Sequence, residues 1–240
     1  ASATQRFFSF AMGQKNNEKL KQTFSMNWIL YVGIALLAFA ILQSIGLWFV
    51  TEHLSIPENR TNATINLYQM VVLGFVASIL SSPFIAILIA HEDMHLFALI
   101  SVIDAILKLI AVLVLPIVNG DTLEMYGLFL LITTLITTSA YILICVIKYE
   151  ECQFKKIYWS KTLLKEIIDF TGWSLIGQIS TVFRNQAITV LINQLFNPAT
   201  VAARTIALTI ASQVMVFSNN LNTGLYPPII KSYAAHQKQE

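Results

Sequence analysis

Long apolar runs, broken at intervals by short polar clusters, set the pattern of this chain. The first run covers 27–50, about 36 Å as a helix at 1.5 Å per residue, long enough to cross a bilayer. Trp28 and Trp48 stand near its two ends, where interfacial aromatics belong. Further runs cover 67–90, with Pro83 near its far end, then 96–118 and 125–147. The turn signals between them are His91-Glu92-Asp93-Met94-His95 and Asn119-Gly120-Asp121. Two more segments, 168–196 and 199–230, meet at a tight Asn197-Pro198 turn. The pattern predicts about six membrane-spanning helices and no strands.

The last two segments differ from the others. They are of membrane length but carry Arg184, Asn185, Gln186, Asn193, Gln194, Arg204, Gln213, Asn219 and Asn220. A membrane helix this polar hides one face from lipid. In the fifth segment Ser174, Gln178, Thr181, Asn185, Thr189 and Asn193 recur at helical spacing and form one stripe. Thr205, Thr209, Ser212, Asn219 and Thr223 form another in the sixth. Such stripes either hydrogen-bond to neighbouring helices or line a wet cavity. The length of these two favours the cavity. Arg184 lies at the shoulder of its stripe. Arg204, close to the end of its segment, can snorkel to the interface. In the third run Asp104 and Lys108 are spaced i,i+4 with the acid first, the better orientation for a helical ion pair. That pair is either self-neutralised or a gate in which Asp104 holds Lys108.

Composition agrees with this reading: 56% of the residues are hydrophobic and 12% charged, far from the near-quarter charge of a soluble domain. The net charge of +2 says little, but the placement of the cations says more. Alternate loops hold Arg6 to Lys21, then Lys148 to Lys165, then Lys231 and Lys238. The opposite loops hold only Arg60. The bias of Lys and Arg in short loops predicts a cytoplasmic location for the rich side and for both ends. The start at Ala1 and the charged end read as a fragment of a longer protein. Cys145 and Cys152 form neither a disulfide framework nor a metal site by their placement.

Some signals point nowhere. His91 to His95 fits H-E-x-x-H, but at a turn between spans and without a third ligand. Asn59-Arg-Thr and Asn62-Ala-Thr are glycosylation triplets that polar loops produce easily. No phosphate-cradling glycine loop, nucleophile elbow or nucleic-acid module is present, so an enzyme is not expected, and no cofactor, metal or nucleic acid. An internal match is more informative. Ser9-Phe-Ala-Met-Gly-Gln-Lys-Asn16 and Ser232-Tyr-Ala-Ala-His-Gln-Lys-Gln239 share Ser, Ala, Gln and Lys in place, at an offset of about 223 residues. Parallel repeats of this size are a transporter signature.

Several segments in order resemble the Wzx-like oligosaccharide flippases of bacterial surface polysaccharide pathways, within the superfamily that includes MATE drug exporters. They are Ile56-Pro57-Glu58-Asn59-Arg60, Pro83-Phe84, Ile89-Ala90-His91-Glu92-Asp93-Met94 and Leu107-Lys108-Leu109. Further along come Phe170-Thr-Gly-Trp173, Leu191-Ile-Asn193, Ala202-Ala-Arg204-Thr-Ile-Ala207 and Pro228-Ile-Ile-Lys231-Ser-Tyr-Ala234. The resemblance implies an all-α membrane protein of two lobes and about 12 to 14 helices, of which this chain holds the third to eighth. Residues 1–147 would end the N-terminal lobe, 148–167 form a basic cytoplasmic linker, and 168–240 begin the C-terminal lobe. It implies flipping of undecaprenyl-pyrophosphate-linked oligosaccharide across the bacterial inner membrane, for O-antigen or capsule synthesis. The partners would be that lipid-linked oligosaccharide, membrane lipid, a polysaccharide polymerase and glycosyltransferases. The cavity residues expected to meet substrate are Arg184, Lys108, Asn185, Gln178, Asn193, Arg204 and Asn219, with Asp104 as ion-pair or gating partner. The family carries Asn just before Ala-Ala-Arg where this chain has Val201, which weakens a ligand role for Arg204. A MATE-like ion-coupled multidrug antiporter is the alternative, and it requires a carboxylate as cation site.

Overall fold

The computed structural model describes residues 2–14, 16–52, 60–118, 120–153, 158–195 and 198–236; some side chains in the last two helices also lie outside the description. All regular structure among them is helical. The order is α1 (Ser2–Gly13), α2 (Asn17–Ile41), α3 (Leu47–Glu52), α4 (Thr61–Ala90), α5 (Met94–Val114), α6 (Thr122–Lys148), α7 (Lys161–Leu195) and α8 (Pro198–His236). Four helical stretches among the described residues are long and apolar enough to cross a membrane: Asn17–Glu52, Thr61–Ala90, Met94–Ile117 and Thr122–Lys148. They coincide with the first four apolar runs. The helices α7 and α8, of 35 and 39 residues, fall outside those four and contain the polar residues noted above.

Helix starts follow side-chain chemistry. The Asn16 carboxamide accepts from the Lys19 backbone N–H and opens α2 ahead of its apolar run. Asp121 does the same for α6 through the Leu123 N–H. Between α2 and α3 the helix widens into one π turn over Leu42–Gly46. There the Leu42 carbonyl accepts from the Tyr68 hydroxyl of α4 at 2.5 Å. A Cβ at Gly46 would lie 2.1 Å from that hydroxyl and would push Tyr68 away from the Leu42 carbonyl. One turn away, Gln43 and Gln69 exchange amide hydrogen bonds at 2.5 and 3.1 Å. These two contacts join α2 to α4 inside otherwise apolar surfaces.

Helices α4 and α6 form the central pair, with α2 and α5 packed against them. The core sits toward one end. Phe84, fully buried beside Pro83, meets Phe24 and Trp28 edge to face at 5.4 Å each. Phe8 of α1 stacks on Phe24. Cys145 is buried against the same cluster and donates to the Phe84 carbonyl at 3.3 Å. Elsewhere the surface is apolar: Leu99, Val102, Ile106, Leu109 and Leu113 of α5 are all exposed. A contiguous apolar face of this kind needs lipid or protein against it.

The same end gathers charge. Lys21 pairs with Glu150, Lys148 with Asp93 and Lys231 with Glu92. Across the bundle, Arg60 pairs with Asp121 at 2.5 Å, and Asn66 donates to Glu124 at 2.8 Å. The lysines of α2, α6 and α8 thus share one end, and Arg60 stands at the other. The 91–95 turn, which has no cation of its own, belongs to the lysine end.

Candidate functional site

Asp104 and Lys108 lie one turn apart on α5, and the Lys108 ammonium donates to the Asp104 carboxylate at 2.7 Å. Their side chains are 29% and 48% exposed, so neither charge is sealed. Both line a cavity of about 470 Å³ walled by α4, α5 and α6. Its polar wall consists of Ser78, Ser81, Ser101, Thr134, Thr137, Thr138 and Tyr141.

The hydroxyl protons in this wall are largely committed. Ser78 donates to Phe75 O at 2.7 Å, Ser81 to Ser78 O at 2.9 Å, and Ser101 to Phe97 O at 2.8 Å. Thr134 donates to Leu130 O at 2.8 Å and Thr137 to Thr133 O at 3.1 Å. A hydroxyl that donates back to its own helix still has oxygen lone pairs to offer. The wall therefore presents acceptors, one carboxylate and one ammonium. It can take hydrogen bonds from sugar hydroxyls or ligate a cation, and only Lys108 among the lining side chains is built for an anion.

The other expected site residues lie elsewhere. Arg184 and Gln178 sit on α7 with exposed side chains, and Asn219 is exposed on α8. Arg204 of α8 is half-buried, with Nη1 buried and without a hydrogen-bond partner. Asn185 and Asn193 lie on α7, but their side chains are outside the described part of the structure. Of those whose side chains are described, Arg184, Gln178, Asn219 and Arg204, none lines the α4–α5–α6 cavity. The structure thus brings Asp104 and Lys108 together with a hydroxyl wall.

A second polar constellation occupies the 91–95 turn. His91 Nε2 and Glu151 Oε1 are 2.5 Å apart, and the His91 ring stacks on Tyr149. The Tyr149 hydroxyl donates to Asp93, which also takes Lys148 at 2.7 Å. Burial pushes the Asp93 carboxyl up, but hydrogen bonds from Lys148 and Tyr149 outweigh it and hold Asp93 below the ordinary range. Glu151 is likewise held low, because the bond to His91 overcomes burial. Burial raises the Tyr149 hydroxyl, helped by its bond to Asp93. The Cys152 thiol is raised first by its hydrogen bond with Cys145, then by burial. Sequence reading placed Lys148 to Lys165 in a basic loop and missed this cluster. The available signal was Glu150-Glu151, two acids among lysines.

The H-E-x-x-H pattern is divided between elements. His91 caps the end of α4 and is engaged by Glu151, whereas His95 is in the first turn of α5. Among the described residues no three His, Cys, Asp or Glu side chains are grouped to hold a metal ion. Comparison with family models, curated proteins and solved structures finds no match for this chain.

Proposed function

We propose that this chain is the central part of a two-lobed membrane transporter that flips an undecaprenyl-pyrophosphate-linked oligosaccharide across the bacterial inner membrane. The observation that carries the reading is Lys108: a cation paired with Asp104 on a largely apolar helix, half exposed to a cavity whose wall accepts hydrogen bonds. A charge in such a segment costs several kcal/mol, roughly 3 on insertion scales, and is kept where it has work to do. Pyrophosphate suits an ammonium, and sugar hydroxyls suit free oxygen lone pairs. Arg184, exposed on α7, is a second cation within a helix of membrane length. The lysine-rich end faces the cytoplasm in this reading.

Two lobes receive independent support. The described helical parts of the two matching segments, 9–13 and 232–236, lie at the ends of α1 and α8, and these helices pack on each other. Gly13 touches α8 so closely that a Cβ there would lie 2.5 Å from Lys231 O and 2.8 Å from Ala234 Cβ. Equivalent helices of the two halves would meet at this crossing.

One observation favours the antiporter as a second reading. Asp104 lines the cavity among oxygen acceptors, as a cation site requires. Complementation of a strain lacking its own flippase separates the two. Lys108→Ala and Arg184→Ala should each abolish or sharply reduce surface-polysaccharide export. Intact export in both variants would remove the flippase reading; drug resistance lost in Asp104→Asn would favour the antiporter.

A further inference from the structure

Among the described residues, several contacts join the C-terminal part of α8 to other helices. Lys231 Nζ donates to Glu92 Oε1 at 2.6 Å across 139 positions of sequence. Gly13 of α1 packs directly on the Lys231 backbone and on Ala234, which is fully buried. Gly224 faces Met94, where a Cβ would meet Met94 Cε at 3.7 Å. Above them, Leu208, Val214, Met215 and Leu221 of α8 are exposed.

Between Gly224 and Lys231 α8 contains Pro227 and Pro228. Pro227 has no N–H to give the Thr223 carbonyl, which therefore loses its helical partner. The Gln5 side chain of α1 donates to that carbonyl instead, at 3.4 Å. A proline pair inside a helix is a place where it bends, because two ladder bonds are absent. Glu92 adds a second unusual element. Its φ is +65°, a left-handed conformation uncommon for a residue with a Cβ. The flanking residues of that turn, His91 and Asp93, are committed to Glu151, Tyr149 and Lys148 on the α6 side. The left-handed residue between them reaches α8.

We propose that the part of α8 after Pro227-Pro228 is a latch that closes the lysine-rich end of the molecule, with Glu92–Lys231 as its clasp, α1 as its seat and the proline pair as its hinge. The proposal rests on the transporter reading for its purpose, since a transporter needs one end shut while the other is open. The clasp suits a reversible contact. The Glu92 side chain is 46% exposed and that of Lys231 25%. An exposed pair shifts an equilibrium by about fivefold at most, enough to bias a gate without locking it.

The test is a pair of spin labels in the full-length protein in lipid nanodiscs, at His95→Cys and Ala235→Cys, read by pulsed electron paramagnetic resonance. Cys145 and Cys152 are buried and leave the background quiet. The unaltered clasp should give a dominant short distance. Glu92→Lys and Lys231→Glu should each move population severalfold toward longer distances, and the double exchange Glu92→Lys/Lys231→Glu should return it. Glu92→Gly keeps the left-handed turn without its carboxylate and should behave like the single reversals. Distances unchanged in both single variants, or unrestored by the exchange, overturn the latch. The distances need no transport, so the two ideas fail separately: a restored distance beside intact export in Lys108→Ala and Arg184→Ala supports the latch while removing the flippase.

Discussion

The ring of His91 lies flat on the ring of Tyr149, with centroids 4.0 Å apart and planes 12° from parallel. This stack ties the end of α4 to the residue that follows α6. It also sets the sign of a pH effect. Asp93 and Glu151, at the two edges of the stack, both have carboxyls held below their ordinary values. Such groups stabilise the fold above the unfolded carboxylate range, about pH 4, and that stability is lost as pH falls through the depressed values. Tyr149 and Cys152 are raised, so their contribution is present at neutral pH and lost above their ordinary values of about 10 and 8.5. The melting temperature in detergent should therefore hold through neutral pH and drop at both extremes. The acid limb should become shallower in Asp93→Asn, and an unchanged limb would contradict the assignment.

The Asp104–Lys108 pair makes a second prediction. Removing either partner leaves the other alone on an apolar helix. Asp104→Asn and Lys108→Met should each lower stability in detergent, by up to about 1 kcal/mol at this degree of exposure. The double variant should recover most of the loss. Strictly additive losses in a double-mutant cycle would mean that the pair does not couple.

Two glycines separate backbone clashes from side-chain ones. A Cβ at Gly13 would meet the Lys231 carbonyl, which cannot step aside, whereas at Gly127 it would meet the tip of Leu67 at 2.7 Å, which can. Gly13→Ala should cost about 1–3 kcal/mol as an overpacked contact. Gly127→Ala should be near neutral, because the better helix propensity of alanine offsets a small rotamer shift. Thermal unfolding of both variants measures the difference; equal losses would contradict the α1–α8 crossing.

The four apolar helices were legible because length and apolarity alone define them, whereas Asp121 read only as part of a turn signal and in the structure caps α6. The i,i+4 spacing of Asp104 and Lys108 announced their contact. What escaped depends on pairs far apart in sequence. The Leu42–Gly46 π turn is visible only once Tyr68 is set against Gly46. His91–Glu151 and Glu92–Lys231 join positions 60 and 139 apart, and no local period encodes them. Residues 1–26 read as polar and partly amphipathic, which does not say what their faces meet. In the structure Thr4, Gln5, Phe8 and Ser9 are buried, with the Thr4 hydroxyl bonded to buried Asn27 at 3.0 Å and α1 packed on α8, α2 and α4. Periodicity marked the polar stripes of α7 and α8, but not what they face.

The central claim is that Lys108 meets the anionic headgroup of a lipid-linked oligosaccharide. The most direct test reconstitutes the full-length protein in vesicles with undecaprenyl-pyrophosphate-linked oligosaccharide and follows its appearance on the opposite leaflet with a membrane-impermeant sugar-modifying enzyme. The account predicts translocation by the unaltered protein, a loss of tenfold or more in Lys108→Ala (about 1.4 kcal/mol) and partial recovery in Lys108→Arg. Translocation at the unaltered rate in Lys108→Ala would contradict it.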